Sequence, residues 1–236
     1  MKPGPKVWSA FGLPPAPGVR DQILAMTVVR VGHLGPTNFS AKDLAAELGI
    51  TPATINYHFN SREELLAEAA VLGYANYVDT VWQEVQAAKR DPEKRLRAWL
   101  ETSIDVQVAI HGWGPILNYP AAALDVTEVL EKHHRATMTD HSELHLARLI
   151  TLVSDVRRGA VSDVEFELGK LPRARLLKSP KVLTAVASIG WSVLGFAVWR
   201  SGRHLPSRSV KEAMSLEGKA RREHIDLMVR IARGEV

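Results

Sequence analysis

The 236-residue chain has no cysteine, which excludes a disulfide framework, a thiolate zinc site and a thiol nucleophile. A reducing cytoplasm suits such a chain. At this length a sizeable core can form without covalent staples. Strand signals are missing too, because no stretch alternates β-branched and polar residues between turn residues, while apolar residues recur at spacings of three and four. The predicted class is all-α. The opening MKPGPKVWSAFGLPPAPGVR lacks the continuous apolar run of a secretory signal, being broken by prolines and glycines, and 1–18 reads as a flexible basic arm. Neither an internal repeat nor a low-complexity tract is visible.

An excess of one charge is also missing where it would matter most. The net charge is +4 and the isoelectric point about 9.4, yet residues 1–70 hold six Lys/Arg against six Asp/Glu, and 161–236 hold fourteen against eight. The basic excess is C-terminal, so net charge alone does not argue for nucleic acid. Long hydrophobic runs are scarce as well. The single candidate, Val182 to Trp199, is eighteen residues without a charge, framed by Lys178, Lys181, Arg200 and Arg203. That reaches the lower limit for a membrane helix, but Thr184, Ser188, Ser192 and two internal glycines favour a buried helix, and no membrane span is expected.

Local start signals are abundant. Ser40 has Asp43 three residues on, Ser61 has Glu64, and Thr51, Asp91 and Ser179 each precede a proline; all five read as N-caps. The predicted helices are 19–33, 40–48, 52–59, 62–89, 92–110, 114–120, 124–158, 180–202 and 208–233. HGWGP at 111–115 and the segment 159–179 are the longest irregular connections.

Residues 40–59, SAKDLAAELGITPATINYHF, are two short amphipathic helices joined by a sharp turn. Gly49 supplies the left-handed backbone that such an exit needs, and Ala45 is small enough for a close crossing. Leu44, Leu48, Ile50 and Ile55 are expected to point inward against Ile23, Leu24 and Val28. The face left over is Thr51, Pro52, Ala53, Thr54, Asn56, Tyr57 and His58, whose hydroxyls, amide, phenol and imidazole suit base edges and phosphates.

With the continuation into NSREELLAEA, the run Gly49, Ile50, Tyr57, His58, Phe59, Ser61, Arg62, Glu63, Glu64 and Leu65 resembles the TetR family of bacterial helix-turn-helix regulators over about residues 20–70. The resemblance implies that the helix from Pro52 enters the major groove, with Thr51, Pro52, Ala53, Asn56 and Tyr57 near bases or backbone. It further implies that Ser40, Thr54, His58 and Arg62 take phosphates, and that Phe59 and Leu65 are core. The position of Asn56 is often aromatic in that family; here an amide can read adenine instead.

The expected organisation is an arm at 1–18, a three-helix DNA-binding head at 19–68, and an effector-binding and dimerisation domain at 69–236. By the same resemblance, helices at about 180–202 and 208–233 pair with a second copy. The uncharged 182–199 helix agrees, since it needs cover on more than one side. Trp82, Trp99, Trp113, Tyr119 and Met138 fall where this family surrounds a ligand, and aromatic walls suit an apolar or aromatic effector. Taken one at a time, they also fit ordinary core. His134, His141 and His145 share a face with Met138, but HSELH has its acid misplaced for a metalloprotease signature, and neither a metal nor a cofactor is expected.

The expected function is a ligand-responsive regulator, a repressor that binds a palindromic DNA operator as a homodimer and is released by a small effector. The alternative is a helical carrier or enzyme in which the corner is only structural. No phosphate loop or nucleophile elbow supports it.

Overall fold

The computed structural model describes residues 17–117, 123–171, 179–201 and 218–236. Among them there is no strand. The helices are α1 (Val19–Leu34), α2 (Ala41–Leu48), α3 (Pro52–His58), α4 (Arg62–Ala87), α5 (Pro92–Ala109), a short α6 (Gly114–Leu117), α7 (Leu124–Val129), α8 (Arg135–Arg158), α9 (Pro180–Ser201) and α10 (Gly218–Arg233).

All five expected caps form, because each needs only an oxygen and an amide three residues away. Ser40 Oγ accepts from the Asp43 amide at 3.2 Å, Thr51 Oγ1 from Thr54 at 3.2 Å and Ser61 Oγ from Glu64 at 3.0 Å. Asp91 Oδ1 accepts from Lys94 at 2.9 Å and Ser179 Oγ from Val182 at 3.4 Å. Each satisfies an orphan donor and stabilises its helix by about 1 kcal/mol.

Two features depart from the expected pattern. The stretch 124–158 is not one α-helix, since a π turn at Leu130–His134 separates α7 from α8; apolar spacing does not register the extra residue that an i→i+5 turn accommodates. HGWGP is not a loose connection. Its His111–Trp113 portion is a 3-10 turn pressed against α1, where a Cβ on Gly112 would lie 1.9 Å from the Val31 carbonyl oxygen. Only glycine allows that approach.

Contacts divide the chain into two compact units. The first comprises the described parts of 1–80 and 106–139, the second those of 81–105 and 140–236. In the first, Ile23, Val28, Leu44, Ile55, Phe59 and Leu65 form a closed apolar centre. At roughly 1.5–3 kcal/mol per large side chain removed from water, these six outweigh any surface ion pair of the unit. Trp113 joins them, its indole Nε1 donating to the Val28 carbonyl at 2.9 Å.

In the second unit, α9 buries Val182, Ala185, Val186, Ile189, Val193 and Phe196, while α10 buries Ile225, Met228, Val229 and Ala232. Ser192 Oγ and His224 Nε2 lie 3.0 Å apart between these two helices. Asp155 is buried at the end of α8, where its carboxylate accepts from the Ser162 amide at 2.8 Å and faces Ser162 Oγ and Arg158 at 2.5 Å. That hook fixes where the chain leaves α8. No described helix is long and apolar enough to cross a membrane.

Candidate nucleic-acid interface

The turn between α2 and α3 is built by local chemistry. Gly49 sits at φ 69° and ψ 28°, the Ile50 amide donates to Ala45 O at 3.0 Å, and the Gly49 amide donates to Ala46 O at 3.3 Å. This paired arrangement ends α2 and reverses the chain within one residue. Pro52 then opens α3 with its φ already helical and no amide to waste.

The inner face of α3 is fixed by Ile55 and the following Phe59, which are 3 % and 2 % exposed, and Leu44 and Ala45 are fully covered. Leu48 and Ile50, expected to point inward, are only half-buried, because they flank the exposed Gly49 at the surface of the turn. Two ion pairs tie the head together: Arg30 to Glu47 between α1 and α2, and Arg20 to Glu68 between α1 and α4, both at 2.5 Å. Arg20 also lies over the Phe59 ring at 4.8 Å.

With that face anchored, helical geometry turns the remaining residues outward. Thr51, Pro52, Ala53, Asn56 and Tyr57 are exposed, while Thr54 and His58 are half-buried beside them. Tyr57 is 85 % exposed, its ring edge-on to His58 at 5.2 Å. Such an exposed phenol offers both apolar area and a hydroxyl to a partner surface. Thr51 Oγ1 and Thr54 Oγ1 stand 3.0 Å apart at the N-terminus of α3. Ser40, half-buried, uses an oxygen lone pair to cap α2, which leaves its hydroxyl proton to donate to an anion at the same helix end.

Arg62, expected to take a phosphate, also has partners within the chain. Its guanidinium donates to the Pro36 carbonyl oxygen, and its Nη1 lies 3.5 Å from Glu63 Oε1. It braces the 3-10 turn Pro36–Asn38 that links α1 to α2, with donors of its five-N–H fork left over. Lys42, exposed in the first turn of α2, was not among the expected contacts.

Residues 23–69 match the family model described as bacterial regulatory proteins, tetR family. Over these residues the chain carries a TetR-type helix-turn-helix head. No curated protein and no solved structure gives a match to the chain. The TetR match runs from Ile23 in α1 into the first part of α4, so it spans every residue of the outward face just described.

The expected effector residues are not gathered in one compact unit. Trp113 and Met138 belong to the first, where Trp113 is a core anchor of α1 and Met138 is half-buried. Trp82 and Trp99 belong to the second. Tyr119 lies outside the described residues, as do 1–16 of the arm, the rest of the predicted 114–120 helix, and 202–217 at the start of the predicted last helix. Trp99 is 2 % exposed and stacks on His145 at 5.2 Å between centroids, and Arg148 lies over Trp82 at 4.9 Å. Burial pushes the His145 imidazolium down to about 4, with the neighbouring Arg148 cation acting the same way. Of the other two histidines on that expected face, His134 is in the first unit and His141 in the second. No cluster of three or more metal-ligating side chains occurs among the described residues.

Proposed function

We propose that the protein is a transcriptional repressor that binds a palindromic operator as a homodimer and lets go when a small apolar or aromatic effector occupies the part of the chain beyond the head. The observation that carries this is the outward face of α3. Five uncharged or polar residues, Thr51, Pro52, Ala53, Asn56 and Tyr57, stand exposed on a helix whose opposite side is locked into a core. A helix so presented fits the major groove, with base edges in reach of Asn56 and Tyr57 and phosphates in reach of Ser40, Thr54, His58 and Arg62.

Dimerisation through α9 and α10 is supported by what α9 leaves uncovered. Trp191 and Leu194 are 72 % and 42 % exposed, and a Cβ at Gly190 or Gly195 meets nothing within 4 Å. An indole in water at the centre of an apolar helix is a natural hot spot for a second copy. In this reading 19–68 contacts DNA, 69–236 senses and dimerises, and the protein works in the cytoplasm where the operator is. Effector binding then shifts the population toward a dimer whose two α3 helices no longer match successive grooves.

Binding of the purified protein to fragmented genomic DNA, with the protected sequence read out, tests the proposal. A protected palindrome whose half-sites lie about one helical turn apart, some 34–36 Å, is the expected result. Uniform binding without sequence preference would overturn it.

A further inference from the structure

The second unit buries hydrogen-bond donors that no described residue satisfies. Trp99 Nε1 has no hydrogen-bond partner although the residue is 2 % exposed, and Arg95 Nε is likewise buried and without an acceptor. The two residues are four apart on α5, which places them on one face, one turn from each other. Buried donors are ordinarily bonded, and each exception calls for an explanation. The other indole of this unit has a different surrounding, since Arg148 of α8 covers Trp82, and three residues before Arg148 on the same helix His145 stacks on Trp99. The stacked Trp99 ring therefore carries one unsatisfied N–H of its own and has a second, on a guanidinium, one helical turn away on the same face, while the Arg148 cation acts on the stacked imidazole. The Arg95 charge also acts on exposed Asp163, which is bonded to Arg90.

We infer that Trp99 and Arg95, with the Trp99–His145 stack beside them, form a site for an aromatic molecule that carries an acceptor oxygen at its edge, a carboxylate above all. This deepens the effector reading given above, and rests on it for the consequence on DNA. Trp99 Nε1 and Arg95 Nε donate to the carboxylate, and a charged acceptor is preferred because one of its two donors is a guanidinium. The aromatic body is held by stacking and burial. A site whose donors stand empty discriminates by chemistry as well as by shape: a molecule without the acceptor leaves both N–H groups unbonded, as they are now, and gains less.

The test uses the full-length protein and three probes of matched shape: 2-naphthoate, 2-methylnaphthalene and the 2-naphthylmethylammonium cation. Titration calorimetry or tryptophan fluorescence reports binding, and operator affinity is measured beside it. The naphthoate is expected to bind tightest and the ammonium weakest. Trp99→Phe keeps the ring and the stack but removes the donor; it should weaken naphthoate about tenfold and leave methylnaphthalene unchanged. Arg95→Met, which keeps the stem, should act in the same direction. Unchanged thermal midpoints for both variants exclude a folding defect, and if one variant unfolds the other decides. The site is overturned if wild-type protein binds methylnaphthalene as tightly as naphthoate, if none of the probes binds, or if both variants leave naphthoate affinity untouched. A hydrocarbon that binds and releases the operator sinks this site while the effector reading stands. A naphthoate that binds through Trp99 but leaves operator affinity unmoved sinks the effector reading while the site stands.

Discussion

In the head, Ile23, Leu44, Ile55 and Phe59 fill the interior and the polar side chains of α3 stand in water. In the second unit the arrangement is reversed at two places: Trp99 and Arg95 bury nitrogen donors without acceptors, and α9 holds the Trp191 indole out in solvent. The head packs its apolar residues inside and turns the polar side of α3, with the Tyr57 phenol, outward. The second unit has unsatisfied groups of both kinds, a donor pair wanting an acceptor and an apolar face wanting cover. Such loose ends are what binding partners satisfy.

The largest expected effect tests whether the head is as closed as it looks. Gly112→Val puts a side chain where 1.9 Å separates a Cβ from the Val31 carbonyl oxygen, and should destabilise by about 4 kcal/mol, read as a fall in the urea midpoint. Gly49→Ala is the control, because its Cβ has open space and only the positive φ is penalised, at about 1 kcal/mol. Equal losses would show that the turn at His111–Trp113 yields easily and that the first unit is softer than its packing implies.

The next effect probes the buried side of the second unit by pH. His145 stays neutral in the folded chain down to about 4, against an ordinary value of 6.5. Below 6.5 the unfolded chain takes up a proton that the folded one refuses, so this contribution is complete above 6.5 and is lost as pH falls to about 4. The loss amounts to at most about 3 kcal/mol, with stability rising with pH across that window. His145→Gln should flatten the slope by about one proton in a series of chemical unfolding curves. A slope identical to wild type would mean that the imidazole titrates freely.

The exposed side of the same unit is tested by Trp191→Asp, expected to raise the dimer dissociation constant by roughly two orders of magnitude, about 2–3 kcal/mol, by analytical ultracentrifugation. Gly190→Leu is the sharper probe. Its Cβ meets nothing in its own chain, so weakened association with an unchanged melting midpoint points to a neighbouring copy. Dimers indifferent to both variants would put the interface elsewhere.

The smallest effect distinguishes two residues of the head. Asn56→Ala should cost about 1–3 kcal/mol on the operator and relax preference at one base pair of each half-site, leaving random DNA little affected. Arg62→Ala should weaken all sequences alike and make the salt slope shallower by about one unit per site. Arg62 also holds the Pro36 carbonyl, so its variant should lose some fold stability too, whereas exposed Asn56 should not. A uniform loss for Asn56→Ala would make it a backbone contact and shift base readout to Tyr57 and Thr51.

The outward face of α3 was legible in the sequence because each device that makes it spans six residues or fewer. A Ser, Thr or Asp oxygen reaches an amide three positions on, a glycine takes a left-handed φ, and a proline opens a helix; all five caps and the Gly49 turn follow from these alone. Even so, Arg62 shows the limit, since its place three residues after Phe59 does not reveal a carbonyl acceptor 26 positions away. The indole set was legible only as a list of large rings. What each ring does depends on partners distant in sequence: Val28 lies 85 positions from Trp113, and His145 reaches Trp99 from another helix.

The sequence by itself determined the all-helical class, the starts of the five capped helices and the polar composition of the α3 face, because periodicity and capping act between near neighbours along the chain. Only the tertiary structure decided that Trp113 anchors α1, that Trp99 and Arg95 keep empty donors, and that Trp191 rather than Trp99 stands in water. Whether a ring is wall, anchor or surface depends on which helix closes over it, and that closure is set by packing among residues that no local spacing connects.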